Sequence, residues 1–265
     1  MAQTEASNYG FRLDTAQAGQ KAGLDFDHVE SYAAEGVVPF GYGLVLGTDP
    51  EKQVAVAAAD TDTFAGISVF THRQEQGIDQ GASMGAQYST GAEYRDKDTV
   101  NVLRRGRVWV ENSENGFEAH SGDTAYVDTE NGNMTVSPNR AIIEFDADFV
   151  ANNEIDMDIN GESITTVTFD DDHETTFAAL VAEIESTLEN DVGLDTSNFN
   201  VESDAEERKI VISASVKIEV TNADVTEGAS QPDITVTEPG NLSTGGVFRT
   251  GADVGELAIV EINLP

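Results

Sequence analysis

The sequence contains no cysteine, which excludes disulfides, thiolate nucleophiles and cysteine-ligated zinc, and leaves the redox compartment open. It is poor in cations, with 14 Lys and Arg against 49 Asp and Glu, and it has a single Trp. No apolar run approaches the roughly 18 to 20 residues that a membrane helix needs, so no membrane partner is expected. The first ten residues carry neither a basic segment nor an apolar one, and no secretory signal is expected there. The four histidines, His28, His72, His120 and His173, are dispersed, and none stands in an H-E-x-x-H pattern. There is no G-x-S-x-G elbow, no P-loop, and no G-x-G-x-x-G opening a helix.

What is present, above all, is negative charge. The formal net charge of −35 repels phosphate backbones, and direct nucleic-acid binding is not expected. The acids alternate with apolar residues rather than standing in blocks, so the chain reads as folded rather than disordered. In about 1 M salt the Debye length falls to about 3 Å, and repulsion between neighbouring carboxylates is largely screened. The surface therefore reads as halophilic. Only five of the 14 basic residues are Lys, which agrees with that reading.

Along the chain, residues 1–35 read as an extended N-terminal arm, small and flexible around 16–23, with isolated apolar anchors at Tyr9, Phe11, Leu13, Leu24 and Phe26. A frayed terminus would look the same. Short alternating runs then recur at 37–40, 44–46, 54–56, 64–69, 99–103, 107–110, 124–127, 134–136 and 141–145, a pattern that predicts a sandwich or barrel. Residues 146–240 differ in kind. Ile155, Met157 and Ile159 alternate with acids up to an Asn160-Gly161 turn, and Asp170-Asp171-Asp172 supplies a helix cap. Phe177, Leu180, Val181, Ile184 and Leu188 then fall on one helical face. Strands at 209–214, 217–220 and 234–236 complete a small α+β (ββαββ) module. That stretch holds 24 acids and 3 bases and carries −21 of the net charge. The strong strand at 257–262 is expected to return to the first β region, which makes 36–145 plus 241–265 one domain and 146–240 an insertion in a surface loop.

Several segments, in this order, resemble the structural cement proteins of tailed phages. They are Gly66-Ile67-Ser68-Val69-Phe70-Thr71-His72-Arg73, then Val100-Asn101-Val102-Leu103-Arg104-Arg105-Gly106-Arg107-Val108-Trp109-Val110 as a hairpin, then Ser121-Gly122-Asp123-Thr124-Ala125-Tyr126-Val127, and Gly132-Asn133-Met134-Thr135. The closing stretch from Gly246 to Ile262 is similar to the last strand of that family, and 153–180 is similar to a module that recurs in phage structural proteins. The resemblance implies a β-barrel-like decoration protein on the outer capsid surface of the virion, without catalytic residues. It also implies the major capsid protein as partner, together with other copies of the chain: a trimer first, a dimer second.

The fold class expected is thus mainly β, a barrel- or sandwich-like cement domain with an extended arm and an inserted α+β domain. No cofactor is expected, although incidental cations are compatible with so many carboxylates. Asp60-Thr61-Asp62 reads as a solvated turn and Asp170-Asp171-Asp172 as a cap rather than as calcium loops. The expected interface with the capsid or with other copies comprises Tyr9, Phe11, Leu13 and Phe26 of the arm together with Arg104, Arg105 and Arg107, the densest basic spot in the chain. For the arginines, bidentate bonds to foreign carboxylates and neutralisation by the chain's own acids are both open. Trp109 reads as packed between the barrel and a neighbouring segment, and Tyr88 and Tyr94 as interface or loop anchors. The alternative function is a virion-surface adhesin that binds host glycans.

Overall fold

The computed structural model describes residues 16–23, 27–70, 93–114, 116–169 and 172–264. The fold is mainly β. The first set of strands is β1 (His28–Ala34), β2 (Val38–Pro39), β3 (Gly43–Leu46), β4 (Gln53–Val56), β5 (Phe64–Ser68), β6 (Glu93–Tyr94), β7 (Thr99–Glu111), β8 (Thr124–Val127) and β9 (Met134–Thr135). A second set follows: β10 (Arg140–Phe145), β11 (Glu154–Ile159), β12 (Glu162–Ser163), β13 (Val167–Thr168), helix α1 (His173–Asn190), β14 (Phe199–Asp204), β15 (Lys209–Ala214), β16 (Val220–Thr226) and β17 (Ile234–Thr237). The chain then returns to the first set as β18 (Leu242–Phe248) and β19 (Leu257–Asn263).

The first set closes on itself. β1 pairs parallel with β4 and antiparallel with β7, and the order β1-β4-β3-β5-β7 comes back to β1 as a five-stranded barrel. Closure removes the free edges that would otherwise template aggregation. The interior is filled by Ala34, Leu44, Val54, Ala65, Val100 and Val102, and Phe40 and Tyr94 add an edge-on aromatic pair 5.0 Å apart. β7 then continues past the barrel into β7-β19-β18-β8-β9, and the backbone of Asn112 bridges to Met134 at the far side. Val108, Val110, Val260 and Phe248 of this curved sheet pack against Val45 and Ile67 on the outer side of the barrel strands.

Two expectations are corrected here. Residues Thr99–Glu111 form one thirteen-residue strand, not a hairpin. Gly106, at φ +128°, lets the strand change direction without a break, and a Cβ there would meet Asp27 Oδ1 at 2.6 Å. The described part of 1–35 is also not a free arm, because β1 is a barrel strand. Its first residues include the exposed His28 and Ser31 and the half-buried Glu30, and that polarity hides the strand signal.

The second set has its own core. β14-β15-β10-β17 and β12-β11-β13, with β16 on the other side of β11, enclose Ile143, Phe145, Ile155, Met157, Ile159, Ile210 and Ile212 together with one face of α1. The 141–145 run expected in the first β region therefore belongs, by its pairing, to the second: Ala141 opposes Ile212 and Ile143 opposes both Ile210 and Val236. Eight described strands replace the smaller module expected. The 217–220 strand lies instead at Val220–Thr226, because the backbone of Ile218 is taken by a side chain of the connecting segment, described below. The helix begins where the sequence puts it. Asp172 caps it, accepting from Thr175 N at 3.0 Å and from Thr175 Oγ1 at 2.7 Å. Phe177, Leu180, Ile184 and Leu188 are buried while Val181 is only half-buried. Its end is closed by Val192 N–H donating to Thr187 O and Leu194 N–H donating to Leu188 O.

Candidate functional site

Of the seven interface residues expected from sequence, Tyr9, Phe11, Leu13 and Phe26 lie outside the described residues. The three arginines all project from β7, and they differ. Arg104 is partly buried and pairs with Glu30 at 3.1 Å, beside the Tyr32 hydroxyl, which itself donates to Glu30 at 2.6 Å. The Tyr32 hydroxyl and then the Arg104 guanidinium hold the Glu30 carboxyl below the usual carboxylate range. Arg107 Nε donates to Glu261 at 2.6 Å, and Arg249 Nε reaches the same oxygen at 3.0 Å. Arg249 and Arg107 hold that carboxyl low in turn. Arg105 is exposed and makes no ion pair among the described residues. Within the chain, then, neutralisation by its own acids accounts for Arg104 and Arg107.

Tyr94 is an anchor, fully buried, with its hydroxyl donating to the Val69 carbonyl. Tyr88 is outside the described residues. Trp109 is half-buried on the outward side of β7, opposite Ile259. Its backbone is paired on the other side as well: Gly19 N–H donates to Trp109 O at 2.7 Å and Trp109 N–H donates to Gln20 O at 2.8 Å. The chain thus enters the fold as an extra short strand on β7. It does so through a narrow gap, where Gly19 and Gly41 cross so closely that a Cβ on Gly19 would lie 2.8 Å from Phe40 Cβ and 2.9 Å from Phe70 N. Gly19 also has φ +78°, so a side chain is excluded there twice over.

The two chain crossings between the first and second sets of strands form a short, tightly bonded neck, which sequence reasoning missed. Asn139 is buried, donating from Nδ2 to Ile218 O at 2.7 Å and accepting from Ile218 N at 2.9 Å. Ser137 Oγ donates to Ala214 O at 2.9 Å, and Asn241 Nδ2 donates to Ser137 O at 2.9 Å. Thr129 Oγ1 donates to Gly240 O at 3.0 Å, and the nearly buried Arg140 is paired with Glu130. Asp60 packs directly on Gly240, while Asp62 closes its own turn by accepting from Ala59 N at 3.1 Å. The available signal was a Pro-Asn pair at Pro138-Asn139 answered by Pro239-Gly240-Asn241, where turn residues flank both ends of the acidic stretch.

No group of three or more His, Asp or Glu among the described residues is arranged to hold a metal ion. The features the fold does organise are a closed barrel, an extended sheet with arginines on its outer side, and a second α+β set held by a stiff neck. These define a β-rich structural protein. Residues 5–187 match the family of the structural cement protein (E217 gp24/Pam3 gp6), and the chain belongs to that family. The matched range spans the barrel, the first crossing and most of α1. The family is structural and non-enzymatic, with a capsid-stabilising role and a place in the virion, and it lends no support to a glycan-binding adhesin. No curated protein matches the chain.

Proposed function

We propose that this chain is a decoration protein that binds the outer surface of a tailed-virus shell and stabilises contacts between major capsid protein subunits. The observation that carries this reading is membership of the structural cement family across 5–187. Such a protein works by binding energy alone. Area buried across a subunit junction is lost when the shell bursts, so the bound protein raises the barrier to rupture. Stable attachment calls for an interface of about 1,000 Å² or more. Tyr9, Phe11, Leu13, Phe26 and Arg105 are proposed for the capsid contact. The bonding of 19–22 to β7 supports this assignment, since force on the preceding residues would pass straight into the longest strand of the barrel. A homo-oligomer and a halophilic setting are part of the same proposal; the −35 charge supports the second.

The test is to strip the protein from purified particles and challenge them by osmotic shock and heating, with and without protein added back. Fragile stripped particles rescued by the added protein, with cryo-electron microscopy placing it on the shell exterior, are the expected result. Particles equally robust without it, or a position inside the shell, would refute the proposal.

A further inference from the structure

The second set of strands leaves one long, regular edge uncovered among the described residues. β14 is the outermost strand of β14-β15-β10-β17, and all six of its residues pair with β15 without a register shift. The other outer strands of that set are shorter, with two residues in β12 and β13 and four in β17, or bent, as β16 is at its bulge near Asn222. Short or bent edges resist further pairing, whereas a straight one invites it. Just before β14, Asn198 O accepts from Ser215 N–H at 2.8 Å. Bonded and non-bonded pairs alternate along an antiparallel ladder. Asn200, Glu202 and Asp204 therefore direct their backbone groups to β15, while Phe199, Val201 and Ser203 turn theirs to the other side and have no backbone partner there among the described residues. Backbone groups stay unpaired only where water reaches them, so this side of β14 is open.

Beside the last residues of β14 lies a groove of about 710 Å³, between the strand and the first turns of α1. Phe177 and Ala178 of the helix and Ala205 after the strand give it an apolar lining. His173 stiffens the helix side, its ring stacked 5.6 Å from Phe149 and tilted against Phe169 at 5.1 Å. Exposed carboxylates border the groove at Glu174 and Glu206, and Glu202 is exposed on the strand itself. The cations of the same hairpin offset them only in part: Arg208 is paired with Asp148, and Lys209 faces Asp204 across the ladder.

We infer that β14 and this groove take up an extended segment of another protein, one in which basic residues alternate with apolar ones. The segment adds as a further strand on β14. Main-chain bonds to Phe199, Val201 and Ser203 hold it, an apolar side chain enters the groove, and lysines or arginines meet Glu174, Glu202 and Glu206. A second copy of the chain is a poor occupant, because its own edge brings the same carboxylates and like charges face one another across the new ladder. β14 lies outside the matched residues 5–187, and none of the residues proposed for the capsid contact belongs to it. The inference therefore goes beyond the cement role, and either can fail while the other stands.

The experiment is fluorescence anisotropy of a labelled, end-capped peptide of about eight residues, alternating Lys and Val, titrated with the full chain. A Lys-Pro peptide of equal length and charge separates strand addition from plain attraction to an acidic protein, since proline cannot donate to a ladder. Saturable binding of the Lys-Val peptide is expected, about tenfold or more tighter than that of the Lys-Pro peptide. Ser203→Pro removes an outward N–H and leaves the ladder to β15 intact, and Glu206→Lys reverses an exposed charge; each should weaken binding about tenfold or more. Circular dichroism checks that both variants are folded, and if Ser203→Pro is not, Glu206→Lys carries the test. Amide hydrogen exchange should slow at Val201 and Ser203 when the peptide is bound. Equal binding of the two peptides, undiminished binding by the folded variants, unchanged exchange along β14, or self-association of the parent abolished by Ser203→Pro would overturn the inference.

Discussion

Asn139→Ala probes how the two sets of strands are joined. The side chain stands in for a strand neighbour of Ile218, giving one hydrogen bond at 2.7 Å and taking one at 2.9 Å in a site where both residues are buried. Alanine removes both bonds and leaves an N–H and a C=O without partners. Each orphaned group costs about 1–3 kcal/mol, so a loss of about 3–4 kcal/mol is expected, a large share of a domain stability of about 5–15 kcal/mol. A second effect follows from position. Ile218 belongs to the second set of strands and Asn139 to the crossing, so the variant should also uncouple the two sets. Urea unfolding followed by two probes separates these effects: Trp109 emission reports the first set, and the far-ultraviolet helix signal reports α1, the only α-helix among the described residues. In the parent the two curves should coincide; in the variant the helix signal should be lost first. A loss below about 1 kcal/mol with coincident curves would refute the reasoning, since the neck would then neither stabilise nor couple.

Two further changes read other parts of the fold. Burial, with Glu114 nearby, raises the Glu111 carboxyl above its usual range. Its folded form therefore holds a proton more firmly than the unfolded chain does, and the associated stability is present at acid pH and lost as pH rises through the folded value. Glu111→Gln should accordingly raise the melting temperature at pH 7 and change it little near pH 4. A melting temperature that shifts equally at both pH values would refute that linkage. Phe177→Ala empties a fully buried site ringed by Phe145 at 5.6 Å and Phe149 at 5.7 Å. It should cost about 3–5 kcal/mol by denaturant titration, with the helix signal moving before the Trp109 signal.

The mainly β class was legible because period-two alternation survives wherever one face is buried, as at Ile155, Met157 and Ile159. The helix was legible because a cap and a 3.6-residue apolar period coincide at Asp172 and Phe177. What failed were features that depend on partners distant in sequence. β1 offers little alternation of its own and is held by β4 and β7, so nothing local distinguishes it from an arm. The 99–111 strand was split in two because Arg104-Arg105-Gly106-Arg107 has the composition of a turn, yet Arg104 and Arg107 meet carboxylates on β1 and β19 that no local window contains. Pairing likewise moved 141–145 into the second set of sheets, since its alternation is equally compatible with either. For the arginines, residue type announced an interaction but could not choose between a partner within the chain and one outside it.

The way the neck is bonded bears on the acidity of the chain. The stretch 146–240 carries −21 and is connected through only two chain crossings, so a loose connection would let like charges drive the two sets of strands apart wherever salt is low. The bonds that resist this are mostly neutral ones from Ser137, Asn139 and Asn241, with the Arg140–Glu130 pair shielded by the near-complete burial of Arg140. Neutral hydrogen bonds do not weaken when ions screen charge, whereas exposed pairs such as Lys52–Asp49 do. Rising salt thus removes repulsion between the two sets while leaving the junction intact. Raising salt from about 0.1 M to about 1 M is therefore expected to raise the melting temperature, although the exposed ion pairs among the described residues are weakened by it.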